Sequence, residues 1–519
     1  MMPTANQDQV IAFLMSEAGF GGPSVAPQLV ETHISLVILS GPHAIKLKRG
    51  VRLGYVDFST PELRLAACER ELELNRRTAP GLYKAVHRIT READGRLALD
   101  GDGALVDAVV EMVRFDEDGL LERLATRGAI EKPVLTRLAG RIAAFHADAQ
   151  PDLSESGSSR IAAVLDINER AFATTDIFPA EKLAALQTAF RARLSALSHL
   201  LDARARAGKV RRCHGDLHLR NICLVDGEPT LFDCLEFDEA LATTDILYDI
   251  AFLLMDLWHR NLRAEANLVL NRYLDAGDEE DGLPLNSFLM ALRAAVRAHV
   301  SATQAQADDA EPTRREEAIA YFELAQELLR PQPARLIAVG GLSGSGKSTV
   351  AAALAPAVGP APGARILASD RIRKHLFAVP AETRLPAEAY RPAISETVYA
   401  ELAGRAARIA GRGHAVVADA VFDRPEERLR IESAAISAGV PFQGVWLDVD
   451  PDRLFQRVRA RTGDVSDATP EVLAGQLCHS VGTIAWKRVP ADADAGTVCR
   501  NALEAIGFAA NGAAGRPSA

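Results

Sequence analysis

GLSGSGKST, Gly341–Thr349, is the stretch that decides the reading of this chain. It fits GxxxxGK[ST] through Gly341, Gly346, Lys347 and Ser348, with Ser343, Gly344 and Ser345 inside the loop and Thr349 after it. The apolar run RLIAV precedes it and the helix former TVAAALAPAV follows, the strand–loop–helix setting that a phosphate cradle needs. Glycines let backbone N–H groups converge on phosphate oxygens, and the helix N-terminus adds partial positive charge. Lys347 is placed to reach the terminal phosphates, and the Ser348 hydroxyl to hold Mg²⁺. The plain alternative is a Gly/Ser-rich turn ahead of a helix.

Working outward, ARILASDRIRKHLF (Ala364–Phe377) reads as a strand ending at Asp370, then a helix carrying Arg371, Arg373 and Lys374. A carboxylate at the C-terminal end of such a strand faces the ligand crevice. Asp370 is the candidate to take a proton from an acceptor hydroxyl, with Arg373 orienting it; the alternative is a helix cap. AVVADAVF (Ala415–Phe422) reads as a third strand ending at Asp419, a candidate for Mg²⁺, its water or the substrate. GVWLDVD (Gly444–Asp450) is a fourth strand, followed by the helical PDRLFQRVRAR. There Arg457 and Arg461 are four apart and share a face. They are candidates to close over the transferring phosphate, against the alternative of a solvated basic face.

GLSGSGKST, SDRIRK, VVADAVF and RARTGDVSDAT together resemble the P-loop kinases grouped as AAA-type ATP-binding domains, relatives of gluconate kinases and of the kinase domains of polynucleotide kinases. The resemblance covers most of residues 335–485. It implies phosphoryl transfer from a nucleoside triphosphate, ATP with GTP as the alternative, together with Mg²⁺. It does not fix the acceptor. Asp467 falls in the family's lid-associated stretch, and its spacing assigns it no role.

A second constellation is CHGDLHLRNICLVDGEPTLFDCLEFD, Cys213–Asp238. His214-Gly215-Asp216 is followed by Asn221 and, at the end of TLF, by Asp233. Protein kinases use an HRD…N loop and a later metal-binding Asp in this order. Asp216 is then the proton acceptor, and Asn221 and Asp233 hold Mg²⁺. A zinc reading of His214, His218 and the nearby cysteines lacks a paired CxxC. HGDLHLRN resembles the catalytic loop of aminoglycoside phosphotransferases and choline-kinase-like enzymes. DILYDIAFLLMDL (Asp245–Leu257) resembles the same family, with Asp249 bracing the loop. Upstream, Lys46 in AIKLK is the candidate phosphate lysine, with Lys48 its rival. Glu71 is its candidate partner, with Glu69 and Glu73 as rivals; an ordinary surface pair is the alternative. Glu111-Met112 would sit at the hinge where backbone groups hold adenine. The whole first part, about 30–325, resembles an aminoglycoside-phosphotransferase-like family often joined to the P-loop domain, the bifunctional aminoglycoside phosphotransferase/ATP-binding family. It departs from the kinase pattern in one respect. No GxGxxG stands between the first strands: Gly19, Gly21 and Gly22 are the nearest cluster, and Ser40-Gly41-Pro42-His43 is a tight turn.

Composition bounds these readings. The chain has 519 residues, 59 Lys+Arg against 69 Asp+Glu, 48% hydrophobic and 25% charged residues, which excludes wholesale disorder and a collagen-like chain. Net charge −10 argues against general binding to nucleic acid or anionic lipid. Six cysteines suggest reduced thiols in a cytoplasm. The N-terminus reads as an amphipathic helix, and no apolar run approaches the roughly 18 residues of a membrane span. IAFLLM (Ile250–Met255) reads as buried helix. The expected architecture is therefore an α+β protein-kinase-like domain over 1–330, with a small β-rich lobe and a larger helical lobe. Pro331 and Pro333 mark the boundary, an α/β P-loop domain with a parallel sheet follows over 331–508, and 509–519 forms a disordered tail. The expected function is an ATP-dependent phosphotransferase with two nucleotide sites, acting on hydroxyls of small molecules, without membrane partners. The alternative is a P-loop polynucleotide 5′-hydroxyl kinase, with the first domain as a regulatory nucleotide-binding module; nucleic acid is the less favoured partner.

Overall fold

Local sequence explains where the elements begin. In a computed structural model describing residues 5–16, 20, 27–32, 34–53, 56–307, 312–460, 466–478 and 480–508, α1 (Ala5–Leu14) precedes β1 (Gln28–Glu31), β2 (Ser35–Ser40) and β3 (His43–Lys48). α1 is amphipathic as expected: Val10 and Leu14 pack with Leu36, Ile38, Ile45 and Leu47. The Thr60 hydroxyl then accepts from the Leu63 N–H and Pro61 fills the first helical position, so α2 (Pro61–Asn75) starts there. β4 (Tyr83–Arg91), β5 (Leu97–Leu99) and β6 (Ala104–Val113) complete an antiparallel sheet ordered β1-β2-β3-β6-β4-β5. The helices α3 (Lys132–Asp148), α4 (Gly157–Phe172) and α5 (Ala180–Arg206) follow. A hairpin of β7 (Ile222–Val225) and β8 (Glu228–Leu231) and the apolar α6 (Ile246–His259) come next. This is the expected kinase-like arrangement of a β-rich lobe and a helical part.

α7 (Arg263–Ala276), α8 (Asn286–Ala307) and α9 (Pro312–Leu329) lead to the P-loop sheet. Its parts are β9 (Leu336–Gly340), α10 (Lys347–Leu354), β10 (Arg365–Ala368), α11 (Ser369–Leu376), α12 (Pro392–Gly411) and β11 (Val416–Asp419). α13 (Pro425–Ala438), β12 (Phe442–Asp448), α14 (Pro451–Arg459), α15 (Pro470–Cys478), β13 (Lys487–Pro490) and α16 (Ala495–Ala505) complete it. The sheet is parallel throughout, ordered β10-β11-β9-β12-β13. β9 and β11 are buried at every position, as parallel strands covered on both faces must be. β13 was not anticipated from sequence. KRVP buries one residue of four, so it carries no strand-like hydrophobic signal.

Contacts divide the chain into two compact units, Met1–Asp256 and Leu257–Ala519. Within the second unit, Arg365 ties the helices before Pro331 to the P-loop sheet. Its side chain on β10 is 2% exposed, with Nη1 2.7 Å from Asp275 Oδ1 and Nε 2.8 Å from Glu280 Oε1. Nη1 also donates to Asn271 Oδ1 at 3.1 Å, and the Asn267 amide donates to the Pro362 and Ala364 carbonyls. The helical segment before Pro331 thus supplies the counter-charges of the P-loop sheet. The expected tail 509–519, the cluster Gly19, Gly21 and Gly22, and Arg461 lie outside the described residues.

Candidate active sites

In the first unit the period of two along β3 puts Lys46 and Lys48 on one face. Lys46 Nζ lies 2.8 Å from Glu71 Oε1 and 2.5 Å from Asp233 Oδ1. Glu71 is fully buried on α2, whereas Glu69 and Glu73 are exposed, and Glu73 pairs with Arg70 at 2.7 Å. Lys48 is not the free rival. It is fully buried and pairs with the other oxygen of Glu71 and with Glu236. Burial alone would lower the Lys46 pKa, but the Asp233 and Glu71 carboxylates outweigh it and hold the ammonium well above its ordinary range. Burial would likewise raise Glu71, yet Lys46 and Lys48 pull it down to about 2. Both groups are therefore ionised at neutral pH.

The HGD loop is fixed from behind. Asp249 on α6 accepts from the Gly215 N–H at 2.8 Å, the His214 N–H at 3.2 Å and His146 Nε2 at 3.0 Å. Asp256 accepts from the Leu219 N–H at 3.0 Å. These bonds give Asp249 the bracing position anticipated for it. Asp249 and His146 belong to a buried trio with Cys213, whose ligand atoms lie within 4.8 Å of one another; the Cys213 thiol contacts the Thr244 carbonyl at 3.6 Å. His214 Nε2 is 2.9 Å from the Phe232 carbonyl and His218 Nε2 3.4 Å from Asp216 Oδ2. Asn221 Nδ2 donates to Asp216 Oδ2 at 2.9 Å and to the Asp216 carbonyl at 3.0 Å. The loop thus brings Asp216 and Asn221 together, and Lys46 ties Asp233 to Glu71.

Asp233 sits at φ +61°, a conformation that costs a non-glycine residue about 1–3 kcal/mol. Two side chains missed by sequence reasoning hold it there. Tyr83 Oη accepts from the Asp233 N–H at 3.2 Å, and Asn75 Oδ1 from the Cys234 N–H at 2.9 Å. Their sequence neighbourhoods carry no motif that singles them out.

The hinge expectation changes. Glu111 and Met112 are paired on both flanks, with β3 and with β4, so their backbone groups are spent inside the sheet. The chain leaves the sheet after Val113, and Arg114–Asp118 line a cavity of about 500 Å³ with Gln28, Gly41 and Arg123. The Glu111 side chain instead binds His43 Nδ1 at 2.7 Å and His87 Nε2 at 2.9 Å. The turn between β1 and β2, where a glycine loop would cover phosphate, is closed by Thr32. Its N–H and hydroxyl both donate to the Ser35 carbonyl, at 2.9 and 2.8 Å.

In the second unit Gly344 has φ +90°, and a Cβ there would stand 3.0 Å from the Leu454 carbonyl oxygen. Gly346 has φ +92° and faces open space, as a phosphate cradle requires. Ser345 Oγ is buried without a hydrogen-bond partner. Lys347 Nζ donates to the Leu342 carbonyl at 3.1 Å, and Ser348 and Thr349 are exposed in the first turn of α10. These features fit an anion with its hydrated cation. Gln476 on α15, missed in the sequence, accepts from the Ser343 N–H at 2.9 Å through Oε1. Asp419 ends β11, in register with Val339 and Ala368 on its two neighbours.

Asp370 stands in the first turn of α11, the strand having ended at Ala368, and no side chain caps that helix. Burial raises its pKa, against a Ser466 hydrogen bond and the charges of Lys347 and Arg373. Arg373 donates from Nη1 to the Ala389 carbonyl at 2.7 Å, lies 4.7 Å from the Tyr390 ring centroid, and keeps Nε buried without a hydrogen-bond partner. Asp467 has a structural position after all. Its Oδ2 accepts from Lys374 Nζ at 2.7 Å, the Leu385 N–H at 2.9 Å and Tyr390 Oη at 2.6 Å. Arg457 donates to the Ala491 carbonyl at 2.9 Å, so it is tied to the chain after β13.

Family models match both parts of the chain. The model of the phosphotransferase enzyme family matches residues 58–285, and that of an AAA domain matches 336–479. An uncharacterized protein of Mycobacterium tuberculosis is 30% identical over 457 residues, covering 86% of this chain and 88% of its own. One of Mycobacterium bovis matches to the same extent. Among solved structures, a choline/ethanolamine kinase family protein from Mesorhizobium loti is 15% identical with TM-score 0.40, covering 63% of this chain and 95% of its own. A gluconokinase from Sinorhizobium meliloti is 24% identical with TM-score 0.24, covering 34% and 93%. No helix among the described residues is long and apolar enough to cross a membrane.

Proposed function

The chain belongs to one family with the mycobacterial proteins, its own sequence joining a phosphotransferase-enzyme domain to an AAA domain of P-loop kinase type, and from that premise we propose an ATP-dependent phosphotransferase with two nucleotide sites, each passing the γ-phosphoryl group to a hydroxyl of a small molecule. In the first, Asp216 takes the acceptor proton as the acceptor oxygen bonds to the γ-phosphorus and the bond to the β,γ-bridging oxygen breaks. Asn221 and Asp233 offer the oxygen donors Mg²⁺ prefers, and Lys46, oriented by Glu71, faces the phosphates. In the second, the Gly341–Thr349 loop cradles the triphosphate, and Lys347 neutralises its terminal charge. Ser348 and Asp419 serve Mg²⁺, and Asp370 takes the acceptor proton beside Arg373. Bound Mg²⁺ would neutralise charge developing on the phosphates. Arg457 would have to leave Ala491 to contribute.

The observation that carries the reading is Lys46 held between Glu71 and Asp233, residues far apart in sequence. A screen of a metabolite pool with γ-labelled ATP tests it, with Lys347→Ala and Asp216→Ala beside the parent. Each variant should remove a different set of labelled products; unchanged labelling in both would refute the assignment. The Thr32-closed turn favours a second reading of the first domain, in which it binds nucleotide, transfers little and regulates a polynucleotide-directed P-loop site. Labelling of oligonucleotide 5′-hydroxyls that falls steeply with salt would support it.

A further inference from the structure

Lys46 faces two demands at once. It is bonded to Glu71 and to Asp233, and the proposed reaction asks it to meet phosphate while Asp233 meets Mg²⁺. When Lys46 turns, fully buried Glu71 would be left with a weakened counter-charge. The structure holds a second ammonium for that carboxylate. Lys48, 0% exposed, pairs with Glu71 Oε2 while Lys46 pairs with Oε1. Glu236, three residues after Asp233, pairs with Lys48 from the other side, and the Phe58 ring centroid lies 5.6 Å from Lys48 Nζ. The backbone at Lys48 is pinned too: Gln7 Nε2 donates to its carbonyl at 2.9 Å, and Gln7 Oε1 accepts from the Gly50 N–H at 2.8 Å. The result is a chain of alternating charge, Asp233–Lys46–Glu71–Lys48–Glu236, running from the partly exposed metal-side carboxylate to side chains that are fully or almost fully buried.

We propose that Lys48, fixed by Glu236, is a positioning residue that holds and neutralises Glu71 so that Lys46 is released to the nucleotide. This rests on the reading of the first unit as a nucleotide site. Being fully buried, Lys48 does not touch the ligand; it acts through Glu71. Without it, Glu71 competes with phosphate for Lys46, and nucleotide affinity falls even where folding is preserved.

The test uses the full chain in a Lys347→Ala background, which silences the P-loop site. Binding of a fluorescent ATP analogue with Mg²⁺ is measured beside the melting temperature. Lys48→Met should weaken binding at least tenfold and lower the melting temperature, because buried Glu236 then loses its paired cation and Glu71 keeps only Lys46. Lys48→Met combined with Glu236→Gln removes one positive and one negative charge. It should restore most of the melting temperature but not the affinity. Lys48→Arg, which keeps the charge, should bind within a few-fold of the parent. Recovery of affinity together with stability in the double variant would show Lys48 to be a mere counter-charge for Glu236 and overturn the proposal. Absence of binding to the Lys347→Ala parent itself would instead overturn the nucleotide-site reading beneath it.

Discussion

Arg365 offers the sharpest test of how this chain is built. Arg365→Met keeps much of the side-chain volume and removes the guanidinium. Asp275 and Glu280 then lose their shared cation, Asn271 Oδ1 loses a donor, and Glu280 keeps Arg405 at 3.1 Å. Breaking a buried pair by deleting one partner costs about 3–5 kcal/mol. The residual Arg405 contact places the expectation at the lower end, about 3 kcal/mol. For a unit of this size each kcal/mol moves the midpoint by about 2–4 °C, so the second unit should melt roughly 6–12 °C lower. Calorimetry of the full chain is the assay, since two compact units can melt separately. Burial would raise the Glu280 pKa, but Arg405 and Arg365 hold it below the ordinary glutamate range. That contribution is present above the unfolded value and lost as pH falls through the folded one, so parent and variant should converge only at a pH below the ordinary glutamate range. The companion measurement compares fragments: 257–519 should fold, whereas 331–519, lacking Asp275 and Glu280, should melt lower by a similar margin. Equal stability of the two fragments, or a shift under about 2 °C in Arg365→Met, would refute the reasoning.

Other consequences can be checked in turn. Gly344→Ala places a methyl 3.0 Å from the Leu454 carbonyl oxygen at φ +90°, and should cost about 1–3 kcal/mol and weaken nucleotide binding at the P-loop, read by melting with and without ATP. Asp467→Asn leaves buried Lys374 without its carboxylate. It should raise the acceptor KM of the P-loop site more than it lowers kcat, because the 383–390 segment loses its anchor. Cys68 and Cys223, both pushed by burial to about 12, should resist thiol reagents in the native protein, while exposed Cys478 reacts first; mass mapping after brief alkylation decides it.

Sequence showed most plainly what local backbone chemistry dictates. The P-loop is legible because its glycines, lysine and serine act within nine residues, and the HGD…N loop for a similar reason. Lys46 and Glu71 could be nominated among rivals, since strand and helix periodicity restrict which neighbours face inward. Glu71 is buried and pairs with Lys46, while Glu69 and Glu73 are exposed, a difference that rests on the fold and not on the local pattern. What escaped depends on distant partners. Asp467 gathers donors from residues 374 to 390, Gln476 reaches back to Ser343, and Asn75 with Tyr83 supports a strained Asp233. Pro331 and Pro333 punctuate the chain locally, but they carry no sign that Arg365 finds its counter-charges before them. Glu111 and Met112 were assigned to the hinge because a strand's last paired residue cannot be counted from VVEMVRF alone.

The proposed function requires two unlike nucleotide pockets on one polypeptide. Titration calorimetry of the full chain with a non-hydrolysable ATP analogue and Mg²⁺ tests it most directly. Two binding events are expected, one lost in Lys347→Ala and the other in Asp233→Asn. A single event abolished by Lys347→Ala and untouched by Asp233→Asn would contradict the account.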